Sequence, residues 1–309
     1  MKYIFIINPK AGGRDSTAAI YDMADRLRDN HGLSVTCMLT DRPGGATDMA
    51  RRLGESGEEV RIYACGGDGT VHEVAEGIAG YENAAMSVIP AGTGNDFLKN
   101  FGAAAPLFSN AENSFDGEVF PLDLIDCNGR LCLTIACNGL DAQIAESVHR
   151  YGAMFSGRAS YLASIAVNFV LKSIGHRWTV TVDGRAETGE WSIVTMCNGR
   201  YYGGGSTPVP EARLDDGLLH TVLVKKISKP QFARLFGPYS DGKYRELPQE
   251  LIRVVNAREV RIQSEMDIVS CVDGECFRSR DVVMRLSDKK LRFFGPKGCD
   301  PNATAIGIE

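Results

Sequence analysis

The chain has 309 residues, of which 44% are hydrophobic and 24% are charged, and its formal net charge is -5. This length is enough to bury a substantial core and to form two domains. The negative net charge excludes a global attraction to nucleic acid or to anionic lipid, so we expect no nucleic-acid partner. Any phosphate group that the protein binds must be held by a local arrangement of residues.

The short apolar run near the N-terminus and the spacing of the cysteines favour an intracellular protein. The longest early apolar run, residues 3–7, leads directly into Asn8-Pro9 and is too short for a secretory signal or a membrane span. The nine cysteines are an odd number, and none of them has the C-x-x-C spacing of zinc or redox chemistry. We therefore expect a cytoplasmic enzyme with buried free thiols.

The first hundred residues alternate between short apolar strands and amphipathic helices, a pattern typical of a parallel sheet covered by helices on both faces. The predicted strands lie at residues 3–7, 33–40, 60–65 and 86–89. The predicted helices lie at residues 16–30, 46–53 and 71–79. This part of the chain predicts an α/β domain.

After about residue 119 the sequence changes to many short strands separated by glycines, which favours a β-sandwich. The predicted strands lie at residues 177–182, 192–197, 219–224, 260–262, 268–272 and 282–286, and the predicted helices at 158–173 and 231–236. We predict an α/β domain at residues 1–122, completed by the tail 289–309, and a β-sandwich domain at 123–288.

The strongest local signal is Gly66-Gly67-Asp68-Gly69-Thr70, because it lies between a predicted strand and a predicted helix, where α/β sheets bind ligands. Glycines let phosphate oxygens reach backbone N–H groups, and a helix N-terminus favours anions. A carboxylate that faces a polyphosphate is repelled unless a divalent cation lies between them, so Asp68 predicts Mg²⁺. The alternative is a tight turn in which Asp68 caps the helix.

A second glycine loop, residues 90–97, also leaves a predicted strand and precedes a short helical stretch. Thr93 and Asn95 can hydrogen-bond a phosphate or a ribose. Asp96 can join Asp68 near a metal ion. Taken by itself, the loop is also explained as a helix cap.

A third loop, residues 8–13, follows the first predicted strand and is expected beside the other two. Its Lys10 can serve as a point charge for phosphate. An ordinary strand-to-helix turn is the alternative for this loop alone. Three such loops at one edge of a sheet favour a phosphate-binding site.

Two acidic turns stand out in the second half, Asp215-Asp216-Gly217 and Asp273-Gly274-Glu275. Asp-Gly is also the commonest hairpin turn, so each motif is open to a purely structural interpretation. Asp216 is a candidate metal ligand, assisted by neighbouring backbone carbonyls. Glu275 is suited to act as the general base for an attacking hydroxyl group.

In these motifs the chain resembles the diacylglycerol kinase catalytic family, which groups bacterial lipid kinases with sphingosine and ceramide kinases. The matching motifs, in the family's order, are Asn8-Pro9-x-Ala11-Gly12, Gly66-Gly67-Asp68-Gly69-Thr70, Pro90-x-Gly92-Thr93-Gly94-Asn95-Asp96-Phe97, Asn198-Gly199 through Gly203-Gly204-Gly205, Pro210-x-Ala212-x-x-Asp215-Asp216-Gly217 and Asp273-Gly274-Glu275. The resemblance covers nearly the whole chain. It implies an N-terminal α/β domain like that of NAD kinases and phosphofructokinases, followed by a C-terminal β-sandwich.

The resemblance also implies site residues. The residues around the nucleotide would be Asn8, Pro9, Lys10, Ala11, Gly12, Thr40, Gly66, Gly67, Asp68, Gly69, Thr70, Val71, His72 and Thr93. Glu275 would be the general base. Asp216, with the backbone carbonyls of Arg213 and Leu218, would hold a structural Mg²⁺, linked through water and Asp68, Asp96 and Asp123 to the catalytic metal ion. The chain departs from the family at two positions, with alanine at 11 where serine is frequent and lysine at 99 where arginine is usual.

The function expected from this resemblance is transfer of the γ-phosphoryl group of ATP, with Mg²⁺, to a lipid hydroxyl group, converting diacylglycerol to phosphatidic acid. The alternatives are a soluble kinase of the NAD kinase type and a non-catalytic regulator that binds a nucleotide or a lipid. The protein would meet its substrate as a transient peripheral protein at the inner face of the membrane. The apolar clusters 151–155 and 235–239 are the candidate lipid contacts, and a homodimer is one option for its assembly.

Overall fold

The computed structural model describes residues 1–13, 15–151 and 174–305, except for the side chains of 148–151. The chain divides into two compact units. The first unit comprises Met1–Asp123 and Asp288–Ala303, and the second comprises Leu124–Ser287 with the chain from Thr304 onward. The segment Asp288–Ala303 therefore returns to the first unit.

A six-stranded sheet forms the centre of the first unit. Its strands are β1 (Lys2–Ile7), β2 (Val35–Leu39), β3 (Val60–Gly66), β4 (Ala84–Pro90), β5 (Val119–Leu122) and β15 (Leu291–Phe294). They lie in the order β2-β1-β3-β4-β15-β5, and all neighbours are parallel except β15 and β5. The apolar runs of β1, β3 and β4 are almost wholly buried, as expected for a sheet covered on both faces. The predicted α/β fold with a parallel sheet is confirmed.

The helices of this unit begin and end close to their predicted positions. They are α1 (Thr17–His31), α2 (Gly45–Glu55) and α3 (Asp68–Ile78), with 3₁₀ segments at Ala11–Gly13, Phe97–Ser109 and Ala111–Asn113. Helix α1 buries Ile20, Ala24 and Leu27 at helical spacing and ends before Gly32, whose φ of 65° is left-handed. Helix α3 begins earlier than the predicted residue 71, because Gly67 is extended and Asp68 already lies in the first turn.

A nine-stranded sheet, in which all paired strands are antiparallel, forms the second unit. Its strands are β6 (Ile125–Cys127), β7 (Arg130–Cys132), β8 (Ile135–Gly139), β9 (His176–Val182), β10 (Arg185–Cys197), β11 (His220–Lys225), β12 (Ile252–Asn256), β13 (Glu259–Val272) and β14 (Glu275–Leu286). Eight of them follow the order β12-β11-β10-β8-β13-β14-β6-β7, and β9 pairs with both β10 and β13. Among the residues that the structure describes, the α-helices beside this sheet are α4 (Leu140–Tyr151) and α5 (Lys229–Ser240).

Several strands of the second unit differ from their predicted bounds. The predicted strands 260–262 and 268–272 are one strand, β13, whose pairing with β14 shifts register between Gln263 and Ile268. The predicted strand 282–286 is only the end of β14. Strands β6, β7 and β8 were not predicted, because three- to five-residue strands carry too little alternation to be recognised. The predicted helix 158–173 lies outside the described residues, and no side chain of the cluster 151–155 is described.

Each face of the second sheet supports its own hydrophobic core. One core contains Ile193 together with α5 side chains such as Phe232. The other contains the neighbouring residue Val194 together with both tryptophans, Trp178 and Trp191. Successive strand residues point to opposite faces, so β10 contributes to both cores at once. The predicted β-rich second domain is confirmed, and its central strands are buried on both faces.

All nine cysteines are free thiols, and Cys37, Cys276 and Cys299 are the ones that are only partly buried. Among the described helices, none combines the length and the apolar composition needed to cross a bilayer.

Candidate active site

Three loops meet at the carboxyl edge of the first unit's sheet. They follow β1, β3 and β4, which are adjacent parallel strands. The N–H of Ala91 donates to the carbonyl of Gly66 (2.8 Å), and the N–H of Asn8 donates to the carbonyl of Cys65 (3.0 Å). The convergence follows from topology, because parallel neighbours end on the same side of a sheet.

The three loops approach so closely that side chains would keep them apart. A Cβ placed on Gly92 would lie 2.4 Å from the Cα of Gly67. A Cβ on Gly12, whose φ is 67°, would lie 2.0 Å from the carbonyl oxygen of Ala91. Real Cβ atoms do not make such contacts, so glycine is required at these two positions. The glycines therefore bring bare backbone from different loops together, which is the feature that phosphate cradles use.

Asn8 ties the first loop to the second. Its amide nitrogen donates to the hydroxyl of Thr70 (3.1 Å), and its amide oxygen accepts from the N–H of Lys10 (3.0 Å). The remaining predicted residues of this loop, Pro9 and Ala11, are partly or fully buried, whereas Lys10 is exposed. The side chain of Lys10 is therefore accessible to a ligand.

Asp68 bridges the second and third loops. It is the first residue of α3, but its side chain does not cap that helix, since Gly67 precedes the first turn and no side-chain cap is formed there. Its Oδ1 instead accepts a hydrogen bond from the N–H of Phe97 (3.3 Å) in the 90–97 loop. The purely structural interpretation of Asp68 as a helix cap is therefore wrong.

Electrostatics around Asp68 favour a cation. Burial, and next the negative charge of Asp96, raise the pKa of Asp68 to about 6. Asp96 forms an ion pair with Lys99, the residue at which the chain carries lysine in place of arginine. A Cβ on Gly94 would lie 2.8 Å from Oδ2 of Asp68, so only backbone fits beside that oxygen. Two neighbouring carboxylates in a half-buried loop cluster repel each other, and a divalent cation would reduce that repulsion.

The carboxylate oxygens of Asp68 and Asp96 are suitable ligands for Mg²⁺. Within residues 1–13, 15–151 and 174–305, no three or more His, Cys, Asp or Glu side chains are grouped to hold a metal ion. Mg²⁺ does not need such a cage, because it is usually bound through one or two carboxylates together with substrate phosphates and water. Asp68 and Asp96 provide that number of carboxylates.

Other predicted nucleotide residues lie around the same edge. Asn95 has a left-handed φ of 49°, and its amide nitrogen donates to the carbonyl of Gly92 (2.9 Å), which shapes the third loop. Thr93 is exposed at the tip of that loop. In α3, Gly69 is exposed, and Val71 and His72 are buried.

Thr40 follows β2, and its N–H donates to the carbonyl of Ile7 (2.9 Å). The sequence did not reveal how the loop after Thr40 is held. Glu73 of α3 accepts hydrogen bonds from the N–H groups of Gly44 and Ala46, both at 3.0 Å, at the start of α2. Carboxylates are favoured at helix N-termini. The position of Glu73, five residues beyond Asp68, was the one sequence feature that could have indicated this contact.

Asp123 belongs to the first unit and is 1% exposed. Its carboxylate forms an ion pair with Lys290, just before β15. Lys290 was not among the predicted site residues, since nothing in the local sequence links positions so far apart. The predicted water link from Asp123 to a metal ion stays a prediction.

In the second unit, the predicted metal-binding turn is exposed at Arg213, Asp216 and Leu218. Oδ1 of Asp216 accepts a hydrogen bond from the N–H of Leu218 (3.0 Å), which folds the turn back on itself. One carboxylate with nearby backbone carbonyls is the type of oxygen set that hard cations accept. The assignment of Mg²⁺ to this turn stays a prediction.

Glu275 begins β14 directly after the Asp273-Gly274 turn and is exposed. Because it opens a paired strand, its backbone is fixed while its carboxylate remains in solvent. Such an exposed carboxylate is accessible to a hydroxyl group. Its role as general base stays a prediction.

The second unit also contains a small apolar cavity of about 20 Å³ that the sequence did not reveal. Its lining is Asp141, Ile193, Val224, Ile227, Phe232, Leu235, Phe236, Tyr239 and Ile252. Leu235 and Tyr239 are 8% and 5% exposed, so these two side chains are not surface contacts, whereas contact of the rest of the cluster 235–239 with the membrane stays a prediction. These side chains point inward because they lie on the apolar face of α5.

Comparisons with known proteins decide the family. Residues 2–127 match the model of the diacylglycerol kinase catalytic domain, and residues 134–295 match that of the YegS C-terminal NAD kinase beta sandwich-like domain. The chain belongs to the diacylglycerol kinase catalytic family. The second match also agrees with the sandwich described above. Membership of a kinase family implies ATP as the phosphoryl donor.

Relatives of this family member share about a quarter of its residues. A protein named diacylglycerol kinase from Staphylococcus epidermidis is 27% identical over 294 residues, which cover 94% of this chain and 91% of that protein. One of the same name from Staphylococcus saprophyticus is 26% identical over 272 residues, covering 87% of each chain.

Solved structures support the fold. The crystal structure of a diacylglycerol kinase from Bacillus anthracis has a TM-score of 0.70 at 22% identity and covers 99% of this chain and 98% of its own. Another Bacillus anthracis structure has a TM-score of 0.75 at 24% identity, with the same coverage. At these identities the structural likeness is evidence for the fold alone.

Proposed function

We propose that the protein is an ATP- and Mg²⁺-dependent lipid kinase that transfers the γ-phosphoryl group to diacylglycerol and forms phosphatidic acid. The observation that carries the proposal is the convergence of three glycine loops around Asp68 in the first unit. Glycine loops that converge in this way suit the binding of the phosphate groups of a nucleoside triphosphate. The relatives named diacylglycerol kinase suggest the substrate class.

The loop residues bind and orient the triphosphate. Gly12, Gly67 and Gly92 leave backbone N–H groups open to phosphate oxygens, and the N-terminus of α3 adds a favourable dipole. Lys10 contributes a mobile positive charge. Positioning and charge neutralisation account for most of the rate of phosphoryl transfer, so these groups supply a large part of the catalysis.

Asp68 and Asp96 would hold the catalytic Mg²⁺, and Asp216 with the carbonyls of Arg213 and Leu218 would hold a structural one. A Mg²⁺ ion held by the first pair would supply positive charge beside the phosphates. Glu275 accepts the proton of the lipid hydroxyl group while the hydroxyl oxygen attacks the γ-phosphorus, and the bond from that phosphorus to the β–γ bridging oxygen breaks to release ADP.

Contact with the membrane is proposed to be peripheral and transient, on its cytoplasmic side. No basic helix supplies a permanent anchor in the described part of the chain.

The test compares two acceptors side by side. The purified protein is incubated with γ-labelled ATP and Mg²⁺, once with dispersed diacylglycerol and once with NAD. We expect label in phosphatidic acid and none in NADP. Label in NADP alone would establish the NAD kinase alternative, and label in neither product would leave the non-catalytic regulator.

The labelling reaction is then repeated with a total lipid extract, so that the acceptor lipid is identified from the labelled product. We expect phosphatidic acid to be the main labelled product. A different labelled lipid would retain the lipid kinase activity but replace diacylglycerol as its substrate. Omission of Mg²⁺ with excess chelator should abolish labelling in either format.

A further inference from the structure

Asp273, which neither the metal set nor the catalytic set includes, holds the turn that carries Glu275. Asp273 and Gly274 form a two-residue hairpin turn between β13 and β14, with positive φ values of 45° and 102°. These are the values of a type I′ turn, for which Asp-Gly is a favoured sequence. A turn of this type needs no further support from the Asp side chain.

The Asp273 side chain nevertheless makes a dense set of hydrogen bonds to another part of the second unit. Its carboxylate accepts from the N–H groups of Leu133 (2.5 Å), Thr134 (2.9 Å) and Ile135 (3.2 Å), and from the hydroxyl group of Thr134. The N–H of Asp273 in turn donates to the carbonyl of Ile135 (3.2 Å). Hydrogen bonds to an ionised carboxylate are about twice as strong as neutral ones, so the hairpin tip is firmly anchored.

The segment that receives Asp273 is itself held from the other side. The N–H groups of Asn198 and Gly199 donate to the carbonyl of Thr134 at 2.8 Å and 3.0 Å, and the amide nitrogen of Asn198 donates to the carbonyl of Leu133 (2.8 Å). A Cβ on Gly199 would lie 3.2 Å from the side chain of Thr134, so the packing there is tight. Asp273 and Asn198, neither of which has an assigned role, thus both hydrogen-bond to one short segment.

We propose that Asp273 is a positioning residue: through Leu133, Thr134 and Ile135 it fixes the hairpin tip and thereby the location of the Glu275 carboxylate. The inference rests on the proposed function, in which Glu275 accepts the proton of the lipid hydroxyl group. A general base must lie within hydrogen-bonding distance of the proton it removes. A displacement of about 1 Å can lower a rate about 10²-fold, so a loosened anchor should affect the chemical step.

The chain provides a matched control in the same unit. Asp183 and Gly184 form another two-residue turn, between β9 and β10, with φ values of 45° and 82°. The Asp183 carboxylate accepts from the N–H groups of Arg258 and Glu259, both at 2.9 Å. This turn therefore has the same geometry and the same kind of anchor, but its strand opens with Arg185 instead of a candidate base.

The experiment compares Asp273→Asn with Asp183→Asn. Asparagine is equally favoured in type I′ turns, so both hairpins retain their turn and lose only the charge and part of the acceptor capacity of the anchor. We expect similar decreases in thermal midpoint for both variants. Phosphoryl transfer by Asp273→Asn should fall roughly 10- to 100-fold in kcat with the KM for ATP within about twofold, whereas Asp183→Asn should keep the wild-type kcat.

The possible outcomes separate this inference from the proposed function. If the wild-type protein labels no lipid, the proposed function fails and the inference fails with it. If the wild type is active and Asp273→Asn keeps its kcat, or if both variants lose kcat equally, the positioning role is refuted and the lipid kinase assignment stands.

A milder variant covers the case in which Asp273→Asn does not fold. Thr134→Val removes one hydroxyl donor to Asp273 and keeps the volume of the side chain. We expect a decrease of about 3- to 10-fold in kcat with an unchanged KM for ATP. An unchanged kcat would refute the inference. Faster amide hydrogen exchange at residues 133–135 in either variant would show that the anchor was loosened, and unchanged exchange would contradict it.

Discussion

Asp141 provides a test of how burial of charge sets the pH dependence of stability. It supplies a carboxylate to the lining of the apolar cavity, and it is 5% exposed. Its Oδ2 accepts hydrogen bonds from the hydroxyl groups of Tyr202 (3.0 Å), Tyr239 (3.4 Å) and Thr195 (3.4 Å). Asp141→Asn removes the charge, and its amide oxygen can replace Oδ2 as the acceptor of all three.

The magnitude follows from the pKa. Burial raises the pKa of Asp141 from 3.8 to about 6, although hydrogen bonds from Tyr202, Tyr239 and Thr195 partly oppose this rise. At 1.36 kcal/mol per pH unit, the difference corresponds to about 3 kcal/mol, as an upper bound. Because the folded state binds the proton more tightly, the free energy of unfolding should fall as the pH rises from about 4 to about 6. The free energy of unfolding of Asp141→Asn should not show this decrease, because the asparagine side chain does not ionise.

The assay is urea denaturation at pH 4.5 and pH 7.5, monitored by tryptophan fluorescence. Both tryptophans, Trp178 and Trp191, lie in the core of the second unit, so the signal reports the unit that contains Asp141. We expect Asp141→Asn to be more stable than the wild type at pH 7.5 by up to about 3 kcal/mol. The gain should be smaller at pH 4.5 and should disappear near pH 4.

Asp281→Asn is the matched control. An ion pair with Arg261 lowers the pKa of Asp281, so its carboxylate stabilises the fold when ionised, and its removal should give no gain at pH 7.5. The reasoning about Asp141 is refuted if Asp141→Asn is less stable than the wild type at pH 7.5. It is also refuted if the difference between the two proteins is the same at both pH values.

Three further predictions concern the proposed active site. Gly92→Ala places a Cβ 2.4 Å from the Cα of Gly67, and we expect a loss of about 1–3 kcal/mol in the free energy of unfolding and weaker ATP binding by calorimetry. Lys290→Met removes the ion-pair partner of the buried Asp123 and should cost about 1–3 kcal/mol in chemical denaturation. Glu275→Gln should abolish phosphoryl transfer to diacylglycerol and leave the Kd for ATP within about twofold of wild type.

Each of these predictions has a control of the same chemical type. At Gly69 no atom lies within 4 Å of an added Cβ, so Gly69→Ala should not destabilise the fold. Lys297 pairs with Asp116 at the exposed surface, and Lys297→Met should leave the unfolding midpoint nearly unchanged. Glu259→Gln, at an exposed end of β13, should keep full turnover. Equal effects in a variant and its control would contradict the corresponding prediction.

The amino-acid sequence by itself determined the elements that depend on local patterns. Apolar runs followed by glycine loops predicted the strands and turns of the parallel sheet, and the order of the motifs indicated the family. The loops at residues 8–13, 66–70 and 90–97 could be placed at one edge, because parallel strands that alternate with helices all end on the same side. Asp68 stood out because a carboxylate is unexpected beside phosphate.

Only the tertiary structure decided the contacts between residues that are distant in sequence. It showed that Asp68 accepts from the N–H of Phe97 instead of capping its own helix, and that Asp123 is paired with Lys290. It also showed that Asp273 is bound by Leu133 and its neighbours. Such pairings depend on the register of strands far apart in the chain, and a pattern that repeats every two or four residues carries no information about which distant segment lies alongside.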